Sequence, residues 1–255
     1  MDGHGIGEPS GTRGEVLRAA SAREDARLID AGRRSPPRHL GELRVRAEAL
    51  AGRTVAELAA ALGARAVSGG VRQKGTVGEL VERALGASAG ATAQPDFPTL
   101  GVELKTIPID VRGHPRESTF ISALRVGAAD AAEWPDSPVR RKLAHVLWLP
   151  VICDGEAAQH RRFGVPVFWR PTADQETILR ADFEDLVGAI GAGGIERLTA
   201  RDGRWLQVRP KAAHARVRAA APGDDGAPVA TCPRGFYLRA RFTGALLADP
   251  AAVPP

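Results

Sequence analysis

The chain has 255 residues, 44% of them hydrophobic and 25% charged, which is enough for one large domain or a domain with an appendage and is not the profile of a disordered chain. Its net charge of +5 suits a polyanionic partner. Cys153 and Cys232 stand far apart and in no Cys-x-x-Cys pair, which argues against a disulfide framework or a structural zinc and for a reducing, cytoplasmic compartment. No apolar run approaches the ~20 residues of a membrane span, and the N-terminus lacks the apolar core of a signal peptide.

Residues 1–38 read as a disordered or weakly helical extension, with few large apolar residues to bury; a basic tail touching nucleic acid is the functional alternative. The folded domain is expected over 39–250, with 251–255 as a tail. Leu43, Ala47 and Leu50, then Val55, Leu58 and Leu62, keep helical spacing, and Gly52 and Thr54 split them into two helices. A third helix is predicted from Thr76 to Leu85, opened by a Thr76-x-x-Glu79 capping box and stopped at Gly86. On it, Glu82 lies on a different face from Leu80 and Ala84.

A strand follows at Gly101–Pro108, and a second at Ser118–Val126 after the turn Arg112-Gly113-His114-Pro115, so a hairpin is predicted. Arg140–His145 reads as a short helix entering the apolar strand Val146–Ile152. A strand at Val165–Trp169 and an acidic amphipathic helix over Ala173–Ile190 come next, the glycines at 193 and 194 stopping the helix. The last third reads as a strand (Trp205–Arg209), an exposed loop (Lys211–Pro228), a strand (Phe236–Phe242) and a short helix. Trp148 and Trp169, in apolar strands, are expected in the core. Strands and helices mix without strict alternation, so the fold class is α/β of the mixed α+β kind.

The chemistry concentrates in Pro95-Asp96, six residues, then Glu103-Leu104-Lys105. Along a strand Glu103 and Lys105 share one face, while Val102, Leu104 and Thr106 take the other. Asp96, between Pro95 and Pro98, sits in neither helix nor central strand and is placed to fold back over the strand's head. Two carboxylates suit a hard divalent cation, and an ammonium can stabilise charge at a phosphodiester. This is the PD-(D/E)XK layout; the alternative is a solvated Glu–Lys pair on an edge strand.

Residues 196–218 hold seven basic residues against Glu196 and Asp202, and within them Arg209-Pro210-Lys211 stands where a strand gives way to a loop. Such an element suits a nucleic-acid groove, or else a solvated basic edge. Of the 35 basic residues only Lys74, Lys105, Lys142 and Lys211 are lysines. Lysine is a compact point charge, and all four are expected to face nucleic acid.

Several ordered segments then agree. Lys74-Gly-x-x-Gly stands ahead of Glu82. Leu-Gly-Ala-Ser-Ala-Gly follows at 85–90, then Asp96-Phe, Leu-Gly-Val-Glu-Leu-Lys-Thr-Ile-Pro at 100–108 and Val-Arg-x-Lys-Leu at 139–143. Arg-Pro-Lys-Ala-Ala lies at 209–213, and Pro-Arg-Gly-Phe-Tyr-Leu at 233–238. From about residue 40 to 248 the chain resembles the MutH family of methyl-directed mismatch-repair endonucleases.

The resemblance implies a restriction-endonuclease-like fold of two subdomains flanking a DNA cleft. It also implies Mg²⁺-dependent nicking of the unmethylated strand 5′ to the G of a hemimethylated GATC site, with Mn²⁺ as a possible substitute. It assigns Asp96, Glu103 and the Leu104 carbonyl to metal, and Lys105 to the attacking water or the transition state. Glu82 is implied as auxiliary acid, Lys142 as auxiliary cation and Lys74 as a backbone contact. Arg209, Pro210 and Lys211 would read the site, Tyr237 would sense adenine methylation, and Phe120 would wedge a base step or belong to the core. The implied partners are double-stranded DNA, the activating MutL ATPase and, upstream, MutS; the implied state is a monomer. A restriction enzyme cutting both strands of GATC and a non-catalytic DNA-binding module are the rival readings.

Overall fold

The computed structural model describes residues 34–64, 73–90, 94–124, 133–155, 157–199, 201–211, 219–222 and 228–254. The expected extension falls mostly on residues 1–33, outside the described residues. Helix α1 (Leu40–Glu48) buries Leu43 and Ala47, and α2 (Val55–Ala61) buries Val55, Leu58 and Ala59. Thr54 separates them: its hydroxyl accepts from the Glu57 N–H while the Glu57 carboxylate accepts from the Thr54 N–H, a reciprocal cap. Helix α3 (Gln73–Leu85) begins three residues before the predicted Thr76 cap, so Thr76 lies inside it. Buried Val77, Leu80, Val81 and Ala84 make one packed face, and that tertiary packing overrides the local capping pattern.

Strand β1 (Glu103–Ile109) is followed by the predicted turn, in which the Asp110 carboxylate accepts the Arg112 and His114 amides, both at 2.8 Å. The hairpin does not follow. Ile109 and Pro115 make an isolated bridge, Pro115 has no N–H to extend a ladder, and β2 (Thr119–Ala123) joins a different sheet. Helix α4 (Pro138–Leu143), capped by the Ser137 hydroxyl, leads into β3 (Val146–Ile152). β3 pairs in parallel with β1 on one edge and antiparallel with β4 (Arg162–Phe163) and β5 (Val167–Trp169) on the other.

Helix α5 (Ala173–Gly191) is capped by Thr172 and Gln175 and ends before Gly193, as predicted. Strand β6 (Leu206–Pro210) follows. The region expected as an exposed loop contains β7 (Ala219–Pro222), which pairs antiparallel with β8 (Pro228–Thr231), a strand beginning at that region's end. Alanine-rich strands carry no apolar alternation large enough to announce them. The next strand, β9 (Arg234–Leu238), is shorter than predicted, and α6 (Ala240–Ala248) takes Phe242. There Phe242 is fully buried and stacks on Trp205, centroids 4.2 Å apart, a contact that an extended chain to 242 would forfeit.

β3 is buried on both faces. Leu147, Leu149 and Val151 enter a core made with α1, α2 and α3, whereas Val146 and Trp148 enter a second core with α5, β6, β9 and α6. Trp148 and Trp169 are core residues, as expected. The second core also backs the sheet β2-β9-β6, whose Ile121, Leu206, Val208, Phe236 and Leu238 point inward. Among the described residues no helix is long and apolar enough to cross a membrane.

Asp182 of α5, nearly buried, accepts the amides of Arg204, Trp205 and Leu206 at 2.6, 2.6 and 2.8 Å, fixing where β6 starts. Asp182→Ala strands three donors and is expected to lower the unfolding free energy by about 3 kcal/mol. The check is the urea midpoint, which should fall with an unchanged m value.

Candidate active site

The first cluster is built at the head of β1. Gly101 holds φ +63, a left-handed turn that only glycine adopts without strain, and it folds the chain so that Phe97 and Val102 pair across the turn. That reversal brings Asp96 over the strand, where its carboxylate accepts the Leu104 amide at 2.8 Å and its carbonyl accepts the Ser88 amide at 3.0 Å. Glu103 donates its own amide to the His145 carbonyl at 2.9 Å. Its carboxylate is 1% exposed and accepts from Lys105 Nζ and from Lys142 Nζ, the latter at 2.9 and 3.2 Å to the two oxygens. Although β1 is an edge strand, this is no solvated pair: a buried carboxylate is clasped by ammoniums from a strand and from a helix.

Burial and, second, the Glu103 charge push the Asp96 carboxyl above its ordinary range, against the Leu104 amide, which lowers it. Glu82 of α3, half-buried, is raised by burial and then by Asp96. Crowded like charges of this kind gain from a divalent cation. Among the described residues no three His, Cys, Asp or Glu side chains stand as a ready ligand set. Asp96 and Glu103 nevertheless supply two hard oxygens, and a cation that keeps several waters needs few protein donors, so the residues fit Mg²⁺ better than a softer metal.

Beside Glu103, the ring of His145 is 4% exposed and takes an Arg170 guanidinium N–H at 3.0 Å on Nδ1. Burial and the nearby Arg170 and Arg44 push its pKa down to about 4. Nothing in the sequence singled out His145, because its carbonyl, not its ring, touches the cluster.

A second cluster forms on the outward face of β2-β9-β6. Phe120 opposes Tyr237 across β2 and β9, and their rings meet edge-on at 5.3 Å. The Arg209 guanidinium lies 5.9 Å from the Tyr237 ring, and Lys211 Nζ lies 4.2 Å from that of Phe120. Arg209, Pro210 and Lys211 are exposed on edge strand β6 and just beyond it. Gly235 makes this approach possible, since a Cβ there would stand 2.7 Å from the Phe120 ring and 2.8 Å from the Ser122 carbonyl. Phe120 is thus half-exposed and not in the core. Burial raises the Tyr237 hydroxyl above its usual range.

Gln207, a residue no sequence motif marks, is nearly buried on this face and donates to Ser118 Oγ at 2.8 Å. Its alternation with Arg209 was the available signal. The side chain of Lys74 lies outside what the structure describes.

A mixed sheet carrying acid, acid-x-lysine at the head of its edge strand, with helices on its faces, defines a restriction-endonuclease-like nuclease. A family model described as "DNA mismatch repair enzyme MutH" matches residues 85–182. The chain is 47% identical over 216 residues to the DNA mismatch repair protein MutH of Serratia proteamaculans, covering 84% of this chain and 94% of that one. It is 46% identical over 217 residues to the proteins of the same name from Yersinia enterocolitica and Escherichia coli O6:K15:H31, with the same coverage. The chain belongs to the MutH family of DNA mismatch-repair endonucleases. These relatives favour the repair reading over the restriction-enzyme and silent-module rivals.

Two outcomes follow from the electrostatics. A carboxyl whose folded pKa is raised costs the fold stability as pH climbs from the unfolded to the folded pKa, in full above it, and Asp96→Asn removes that charge yet keeps an oxygen for the Leu104 amide. Without metal its thermal midpoint at pH 8 should equal or exceed that of the parent, and the Mg²⁺-induced rise of the midpoint should vanish. A histidine with a depressed folded pKa acts oppositely: below pH 6.5 the unfolded chain binds the proton first, and stability is lost down to about pH 4. His145→Asn, whose oxygen can replace Nδ1, should flatten the fall of thermal midpoint over that window.

Proposed function

We propose that this enzyme nicks the unmethylated strand 5′ to the G of hemimethylated GATC, using Mg²⁺, with Mn²⁺ able to substitute. The observation that carries the reading is the convergence of Lys105 and Lys142 on Glu103 beside Asp96. In this reading residues 39–250 are one endonuclease domain of two subdomains, acting in the cytoplasm as a monomer. One catalytic set per chain makes one cut per binding event. The family association supports activation by MutL, with MutS upstream.

Asp96 and Glu103 would hold the cation with the Leu104 carbonyl, and Glu82, whose carboxyl feels the Asp96 charge, would add negative potential that favours binding. When bound, a divalent cation would supply Lewis-acid chemistry at the phosphodiester. Lys105 orients the attacking water, or its ammonium lies against the charge that grows on the phosphorus oxygens; Lys142 shares that load from the opposite side. Because Glu103 already fixes both ammoniums, neither pays the full entropy of ordering when substrate arrives.

Lys74 anchors backbone phosphate. Arg209 and Lys211, braced on the Tyr237 and Phe120 rings, present donors to guanine acceptors with Pro210 shaping the loop, and Tyr237 lies where an adenine N6-methyl would be felt. Phe120, half-exposed between Lys211 and Tyr237, is suited to wedge against a base step.

Strand-resolved nicking of a hemimethylated duplex tests this, with Mg²⁺ and with chelator. Only the unmethylated strand should be cut, chelation should abolish cutting, and Glu103→Ala should lose at least about 10²-fold in rate while DNA binding persists. Nicking by Glu103→Ala at the parent rate would refute the site. For the readers, Lys211→Ala should cost roughly 1–3 kcal/mol of selectivity for GATC over other sequences. Lys74→Ala should weaken all sequences alike and flatten the salt dependence of binding.

A further inference from the structure

Helix α4 is six residues long, too short to hold itself in place, yet it carries Lys142. Its inner face is pinned by buried Val139 and Leu143 and its start by the Ser137 cap. Its outer face is tied to α5. Glu176 of α5 accepts Arg140 Nε at 2.8 Å and, on the same Oε1, the indole N–H of Trp134 at 2.9 Å. The Arg140–Glu176 pair is itself partly exposed, at 43% and 31%, but the Trp134 indole that shares the oxygen is 3% exposed. Two donors from the two sides of Ser137 converge on one oxygen and fix both the approach to α4 and α4 itself.

Six residues further along the same helix, about 9 Å at helical rise, Asp182 grips the amides at the start of β6. α5 therefore holds the helix of Lys142 near one end and the strand of Arg209 near its middle. We propose that Glu176 is a positioning residue for strand nicking: it sets Lys142 against Glu103 and, through α5, ties that ammonium to the strand that reads the site. The inference rests on the reading of Lys142 as part of the active site.

The experiment compares single-turnover nicking and DNA affinity for the parent, Glu176→Ala, Glu176→Gln, Lys142→Ala and the double variant Glu176→Ala/Lys142→Ala. Glu176→Ala should nick about ten-fold slower, with affinity within two-fold of the parent. Glu176→Gln, which keeps an oxygen for both donors, should recover most of the rate. The double variant should be no slower than Lys142→Ala alone, since a residue acting through Lys142 has nothing left to place. Multiplying losses in the double variant, an unslowed Glu176→Ala, or a loss that follows affinity overturns the inference and leaves the active-site reading intact. If Lys142→Ala itself nicks at the parent rate, the reading of Lys142 falls, and this inference with it.

Discussion

The structure turns on a buried negative charge. Glu103 is 1% exposed, and an unpaired carboxylate at that depth would cost several kcal/mol or take up a proton. Two ammoniums offset that cost: Lys105 reaches the carboxylate from its own strand and Lys142 from α4. The two cations come from different elements, so their shared anion also acts as a geometric constraint. The head of β1, the end of α4 and the start of β3 must close around one point, and the amide of Glu103 bonding to the His145 carbonyl completes the closure.

Around that point the division of labour follows the two cores. The first core packs α1, α2 and α3 on one face of the parallel strands and leaves Glu82 of α3 facing Asp96. The second core packs the other face against α5, α6 and the three-stranded sheet, whose outward side presents Arg209, Lys211, Phe120 and Tyr237. β3 serves both, since its alternate side chains enter alternate cores. A backing shared by the two sheets is supplied by Trp148, Trp169, Trp205 and Phe242, all buried and in ring contact.

The legible parts of the sequence were those governed by local rules. Period-2 alternation placed Glu103 and Lys105 on one face, and the prolines beside Asp96 set it over the strand's head, whereas Gly101, read as the first strand residue, makes the turn. Helical spacing located α1 and α2, although Leu50 and Leu62 fall just beyond them, and gave α5 to within a residue. What failed was decided by distant partners. The turn after β1 has hairpin chemistry, yet β2 finds its ladder on β9, more than a hundred residues away, and no local pattern records that choice. Thr76 has capping chemistry, but a buried face extends α3 past it. Phe242 alternates like a strand residue, but Trp205 offers it a stacking partner only if the chain turns into a helix.

The scarcity of lysine gains a physical reason from this geometry. Glu103 Oε1 accepts from two ammoniums at once, which compact point charges with freely oriented donors can satisfy in a space otherwise filled by packed strand. A guanidinium presents a planar fork that favours two oxygens side by side. In a chain that otherwise uses arginine for positive charge, Lys105 and Lys142 stand where the substitution would be sterically and electrostatically different. Lys211, poised over the face of Phe120, shows a gentler form of the same preference: a point charge seated on a ring keeps its donors free for a partner.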